Sequence, residues 1–90
     1  MSEGLLTQQE TRALLKRARA GDRTAEETLV SANLALVKSV VKKYLGRGVE
    51  YDDLYQLGCM GLVKAVQHFD TAYEVRFSTY AVPMIAGEIK

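Results

Sequence analysis

Apolar residues recur along this chain at steps of three and four, the spacing that places them on one side of an α-helix. Thr7-Gln8-Gln9-Glu10 has the form of a capping box, in which each side chain satisfies the other residue's backbone N–H. Ala13, Leu14, Leu15 and Ala18 follow, and Gly21 stands where a helix stops, which predicts a first helix over about 8–20. Asp22 suits the N-cap of a second stretch carrying Leu29, Val30, Leu34, Val37, Val41 and Tyr44, and Gly46 and Gly48 then break the pattern. This predicts helix over about 23–45, with a bend or restart near Ser31 to Asn33, where polar side chains compete for backbone hydrogen bonds.

A third helix is expected to open with Asp52 or Asp53 as its cap and to run through Leu54, Leu57, Gly61, Leu62, Ala65, Val66 and Phe69 to about Asp70. Gly58 and Gly61 lie inside it. Each costs about 1 kcal/mol against alanine, and their three-residue spacing predicts that another backbone crosses closely there. After a loop from Thr71 to Phe77, Ser78 is the expected cap of a last helix with Tyr80, Ala81, Met84, Ile85 and Ile89 as its apolar positions. Pro83 reads as early in that helix, bending its first turn. Lys90 follows without a cap or a glycine, so the chain reads as truncated in its last helix. No run keeps the two-residue alternation of a strand, and no segment repeats. The expected fold is all-α, a compact bundle of four to five helices.

Composition narrows the class. Ninety residues, 48% apolar and 26% charged, describe one small domain that buries about 60–65% of the surface its unfolded chain exposes. The formal net charge of +1 hides an asymmetry: residues 31–50 carry Lys38, Lys42, Lys43 and Arg47 against Glu50, whereas residues 51–90 carry an acidic excess. A domain that grips duplex DNA through phosphates normally has a clear basic excess, so weak DNA binding is expected of this chain alone. Cys59 is the single cysteine, which precludes an intrachain disulfide and fits a cytoplasmic location. The longest apolar run, Ala81 to Gly87, is far shorter than the roughly 20 residues that cross a bilayer.

The chemistry of enzymes is thinly represented. A single histidine, His68, and a single cysteine cannot build a His/Cys zinc site. Nine residues separate them on one helix, about 13 Å at 1.5 Å per residue, too far for a nucleophile and its base. No glycine-rich phosphate loop is present, and the adjacent Asp52 and Asp53 face different ways on a helix and suit its N-terminus. No catalytic residue, metal or cofactor is expected.

Four segments carry a resemblance: Asn33-Leu34-Ala35-Leu36-Val37, Asp53-Leu54-Tyr55-Gln56, Gly58-Cys59-Met60-Gly61-Leu62 and Phe77-Ser78-Thr79-Tyr80-Ala81. In this order they resemble bacterial RNA polymerase sigma factors of the primary-sigma superfamily, and the run from Val75 to Ile89 is most similar to sporulation factors of the forespore type. The resemblance implies a core-binding and partial promoter-opening module over 22–90, preceded over 1–21 by a variable helix with no motif of its own. It places the polymerase-binding surface on Leu34, Val37, Asp53, Gln56, Cys59 and Val63, with the clamp helices of the β′ subunit as partner. Independently of it, Asp53, Gln56, Cys59 or Met60, and Val63 form one helical stripe of mixed character, able to dock on another helix.

Promoter contacts are implied at Phe69, Asp70, Phe77, Thr79 and Tyr80, with Tyr80 stacking on a flipped adenine of the non-template strand at the minus-ten element. By size, Phe69 and Phe77 suit the core better than the surface. An anti-sigma factor is the implied second partner, and Met84, Ile85 and Ile89 read as exposed positions it would cover. Housekeeping members carry two tryptophans where this chain has Pro83-Met84, which implies weaker melting. The location implied is the forespore cytoplasm. The alternative is a helical interaction domain or helix-turn-helix regulator acting without polymerase, which would depend on a Lys/Arg cluster and show a steep salt slope.

Overall fold

The computed structural model describes residues 6–90, so the first five residues of the expected variable segment lie outside it. Five α-helices follow one another: α1 (Gln8–Arg19), α2 (Arg23–Ala32), α3 (Leu34–Val41), α4 (Tyr51–His68) and α5 (Phe77–Ile89), with one 3₁₀ turn at Lys42–Tyr44 after α3. The architecture is the expected all-α bundle. No helix among the described residues is long and apolar enough to cross a membrane.

Local chemistry sets most of the boundaries. Thr7 Oγ1 accepts the Glu10 N–H at 3.0 Å while Glu10 Oε1 accepts the Thr7 N–H at 2.9 Å, completing the capping box of α1. Asp22 caps α2 through the Ala25 N–H at 3.1 Å. Its other carboxylate oxygen accepts from Arg17 Nε at 3.0 Å. Of the bend or restart expected near Ser31 to Asn33, the structure shows the restart: Asn33 divides the stretch over 23–45 into α2 and α3. Asn33 leaves the helical region at φ −115°, and its side-chain amide donates to the Leu29 carbonyl at 2.8 Å, the acceptor its own backbone N–H would use in an unbroken helix.

The later caps differ from expectation. Glu50, not Asp52 or Asp53, is the N-cap of α4; its carbonyl accepts the Leu54 N–H at 3.1 Å, and the two aspartates lie inside the first turn, where their charge complements the helix dipole. Helix α5 starts one residue before the expected cap, Ser78, with Arg76 at its N-cap and no side chain closing it. Burial of Phe77 offsets that omission. Pro83 is the seventh residue of α5, not an early one, and it lies on the exposed side, where the bond lost at the Thr79 carbonyl can be replaced by water.

All five helices contribute to one apolar cluster, from Leu15 of α1 and Leu29 of α2 through Val37, Val40 and Val41 of α3 to Leu62, Val66, Ala81 and Ile85 of α4 and α5. No polar or charged residue is buried among the described residues. Ile85 and Ile89, expected to be exposed, belong to this core, and Met84 is half-buried. The tightest point is the crossing of α4 and α5. A Cβ on Gly61 would stand 2.5 Å from the Met84 carbonyl oxygen and 2.6 Å from the Ile85 Cα. At Gly58 it would meet Val37 Cγ1 at 2.7 Å and Ile85 Cγ2 at 3.3 Å.

Two outcomes follow from this packing. Gly61→Ala presses on backbone, which cannot turn aside, and should cost about 3 kcal/mol; Gly58→Ala presses on the stiff, buried Val37 but regains helix propensity, so its cost should be smaller, about 1–2 kcal/mol. Urea unfolding of both variants checks the order, and equal midpoints would contradict it. The second outcome concerns Asp22, whose carboxyl is held below its ordinary value first by the Ala25 N–H and then by Arg17. A folded-state value below the unfolded one means that its stabilisation is full above the unfolded carboxylate range and fades as pH falls through the folded value. The gap in thermal midpoint between the parent chain and Asp22→Ala should therefore narrow from about pH 5 to about pH 3; a constant gap would contradict the assignment.

Candidate protein-docking and nucleic-acid interface

Helix α4 has two unlike sides. Leu54, Gly58, Gly61, Leu62, Ala65 and Val66 are buried, while Asp53, Gln56, Met60, Lys64 and Gln67 face solvent. Between the two rows lie Tyr55, Cys59 and Val63, half-buried. Tyr55, Gln56, Cys59, Met60, Val63, Lys64 and Gln67 together line a shallow, mainly apolar depression along the outer side of the helix. Met60 is 51% exposed, a large apolar side chain left without cover.

The depression is framed by polar groups that are already tethered. Lys64 Nζ pairs with Glu88 Oε2 of α5 at 2.7 Å, and Gln67 Nε2 donates to Glu26 Oε1 of α2 at 3.4 Å. At its other end Tyr51 stacks on Tyr55 with ring centroids 6.0 Å apart. Burial holds both the Tyr55 hydroxyl and the Cys59 thiol above their ordinary pKa values. At neutral pH Cys59 is therefore a small apolar contact rather than a thiolate nucleophile.

Of the six residues expected on the docking surface, Asp53 and Gln56 are exposed, and Leu34, Cys59 and Val63 are half-buried. Val37 is a correction. It has no exposed surface and packs beneath Gly58, so it supports α4 from within and cannot touch a partner in this fold. Burial of one side of α3 explains the difference: Val37 shares that side with Val40 and Val41. Met60, weighed against Cys59 in the stripe, is the more exposed of the two.

The second group of expected residues gathers around the end of α4. Phe69 is the C-cap residue of α4 and its ring is the hub of an aromatic cluster, edge-on to Phe77 at 5.6 Å, to Tyr80 at 5.2 Å and to Tyr73 at 5.4 Å. Phe69 and Phe77, at 1% and 6% exposure, are core residues and offer nothing to a ligand, which corrects the contacts implied for them. Thr79 is exposed, and Tyr80 and Asp70 are half-buried. Asp70 shapes the loop: its Oδ1 accepts the Ala72 N–H at 2.8 Å and its carbonyl accepts the Tyr73 N–H at 2.9 Å.

Tyr73 is the residue that sequence reading missed. It is 43% exposed, and its ring lies 5.6 Å from that of Tyr80 with a tilt of 42°. A base inserted between two rings needs about 7 Å, two van der Waals contacts, so this pair can receive a base only on an outer face. Arg76 lies exposed at the N-terminus of α5. The cluster thus presents aromatic surface with cationic side chains nearby, the chemistry that captures an unstacked base.

Comparison with known proteins joins the two faces. The Sigma-70 region 2 family matches residues 29–90, a stretch that includes all of α3, α4 and α5. Over 89 residues the chain is 52% identical to the RNA polymerase sigma-F factor of Priestia megaterium, covering 99% of this chain and 35% of that protein. It is 53% identical over 85 residues to the RNA polymerase sigma-F factor of Bacillus subtilis (94% and 33%), and 49% identical over 86 residues to the RNA polymerase sigma-G factor of Clostridium acetobutylicum (96% and 34%). The chain spans about a third of the length of these relatives. With the match running through both the outer side of α4 and the aromatic cluster, the chain belongs to the Sigma-70 region 2 family.

Proposed function

We propose that this chain is the polymerase-docking part of a sporulation-type sigma factor, seated on the β′ clamp helices of the core enzyme through the outer side of α4. The observation that carries this reading is the apolar depression on α4 lined by the exposed Met60 together with Gln56, Lys64 and Gln67, with Asp53 exposed three residues before Gln56 on the same helix. An apolar strip with a polar rim along one helix suits a partner helix. Leu34 and Val63 extend the contact; Val37 holds α4 in place from below. Residues 22–90 form the docking module, and an anti-sigma factor would compete for the same strip. The setting is the forespore cytoplasm.

The aromatic cluster supports the second half of the reading. Tyr80, backed by Phe69, stacks on a flipped adenine of the non-template strand at the minus-ten element, with Asp70 and Thr79 at its border. Phe69 and Phe77 act only as its foundation. Balanced charge fits capture of an already opened strand better than a grip on duplex phosphates.

Binding of the chain to an isolated β′ clamp-helix fragment, at two salt concentrations, tests docking. Asp53→Ala and Met60→Ala should each weaken it about tenfold, the usual scale for a residue central to an interface. Unchanged binding in both would refute the site, and loss only on removing Lys38, Lys42 and Lys43 would favour a regulator that acts without polymerase. For the aromatic face, Tyr80→Ala should cost about 1–3 kcal/mol in capture of a single-stranded minus-ten oligonucleotide by the core-bound chain, and Tyr80→Phe should cost little. Equal loss in both variants would assign the effect to the hydroxyl and not to stacking.

A further inference from the structure

Helix α1 lies outside the stretch matched by the family, and its sequence carries no motif, yet it reaches into the loop that bears the aromatic cluster. Arg12, Leu15 and Arg19 follow one another at steps of three and four, so they share one side of α1. Leu15 has no exposed surface and fastens that side to the core. On either side of it the two guanidinium groups extend over residues 69–71. Arg12 Nη2 donates to the Thr71 carbonyl, and Arg19 Nη1 donates to the Phe69 carbonyl at 3.2 Å.

Phe69 is the C-cap of α4, and a cation donating to a carbonyl at a helix C-terminus is favoured by both hydrogen bonding and the helix dipole. Arg19 also lies 3.9 Å from Asp70 Oδ2, but both side chains are about half exposed, and such an ion pair adds little. The directional bonds to the two carbonyls are what fix the loop. From those anchors the chain passes through the Asp70 turn directly to Tyr73.

We propose that Arg12 and Arg19 are positioning residues for the aromatic face: they clamp the loop over 69–71 so that Tyr73 and Tyr80 are held ready for an unstacked base. Neither arginine touches the nucleic acid. The proposal rests on the reading of that face as a base-capturing surface, and its test separates the two.

Three variants of the 90-residue chain serve: Arg12→Ala/Arg19→Ala, Arg12→Lys/Arg19→Lys and Tyr80→Ala. Hydrogen exchange reads the loop, and fluorescence reads binding of a single-stranded oligonucleotide carrying one 2-aminopurine among thymines. The double alanine variant should exchange the amides of Ala72 and Tyr73 about tenfold faster while α5 keeps its protection, since two charge-assisted bonds are lost from the loop alone. Its oligonucleotide affinity should fall about fivefold with less quenching of the probe, and the dependence of affinity on salt should keep its slope, because no phosphate contact is removed. The double lysine variant, which keeps a donor at each position, should recover part of both effects.

Unchanged loop exchange would overturn the proposal, as would faster exchange without loss of affinity. A salt slope lowered by about 1–2 would overturn it by making the arginines direct phosphate contacts. Equal binding by the parent chain and Tyr80→Ala would instead refute the base-capturing face itself, a failure visible even where the loop exchange behaves as expected.

Discussion

The contact on which the arrangement depends is the one without a side chain, where Gly61 of α4 meets the backbone of α5 at Met84 and Ile85. Cβ-free contact lets two helices approach within backbone distance, and that approach decides what lies at both ends of the crossing. Toward one end it closes Val37, Ile85 and Gly58 into a filled layer. Toward the other it sets Phe69 against Phe77 and Tyr80, so that the aromatic cluster is a consequence of helix packing rather than a separately built feature. A wider crossing would leave those rings apart and the loop between them unsupported.

Helix α4 thereby has two unlike sides. Its inner side is small and apolar for close packing, and its outer side mixes Met60, Gln56 and Asp53 with the half-buried Tyr55, Cys59 and Val63. The residues that anchor its flanks, Lys64 on Glu88 and Gln67 on Glu26, tie it to α5 and α2 without covering the depression. The outer side can thus be rigid before any partner arrives, which lowers the entropic cost of association.

What was legible in the sequence follows from how local each signal is. The capping box at Thr7 and Glu10 and the cap at Asp22 depend on neighbours within three residues, and both form. The glycine spacing in α4 pointed to a close crossing, and its partner could be identified only in three dimensions. The polar stretch from Ser31 to Asn33 signals a bend or restart without deciding between them; the Asn33 side chain replaces a backbone donor and ends the helix, a competition whose outcome depends on the half-buried setting of the amide. Caps at Asp52, Asp53 and Ser78 were misplaced because several polar residues in a row offer equivalent starts, and the burial of Leu54 and Phe77 chose among them. In the candidate sites the motif positions mix exposed residues with buried ones: Val37, Phe69 and Phe77 recur in the pattern for reasons of packing. Tyr73, Arg12 and Arg19 carry no such signal, because no short spacing connects α1 to a loop 50 residues away.

The connection between α4 and α5 has a further consequence. It spans only residues 69–76, and its first half is pinned by Phe69, by the Asp70 turn and by α1. Closing a loop costs entropy that grows slowly with length, about 0.6 kcal/mol for each doubling, so an insertion after Tyr73 would leave the stability of the bundle almost unchanged. An insertion before Tyr73 would cost the same entropy and yet carry that ring away from Phe69. Two neighbouring stretches of one loop, alike in their thermodynamic tolerance, therefore differ in what they can accept: one can lengthen without displacing a ring, and the other has its length fixed by the reach of Tyr73 to Phe69.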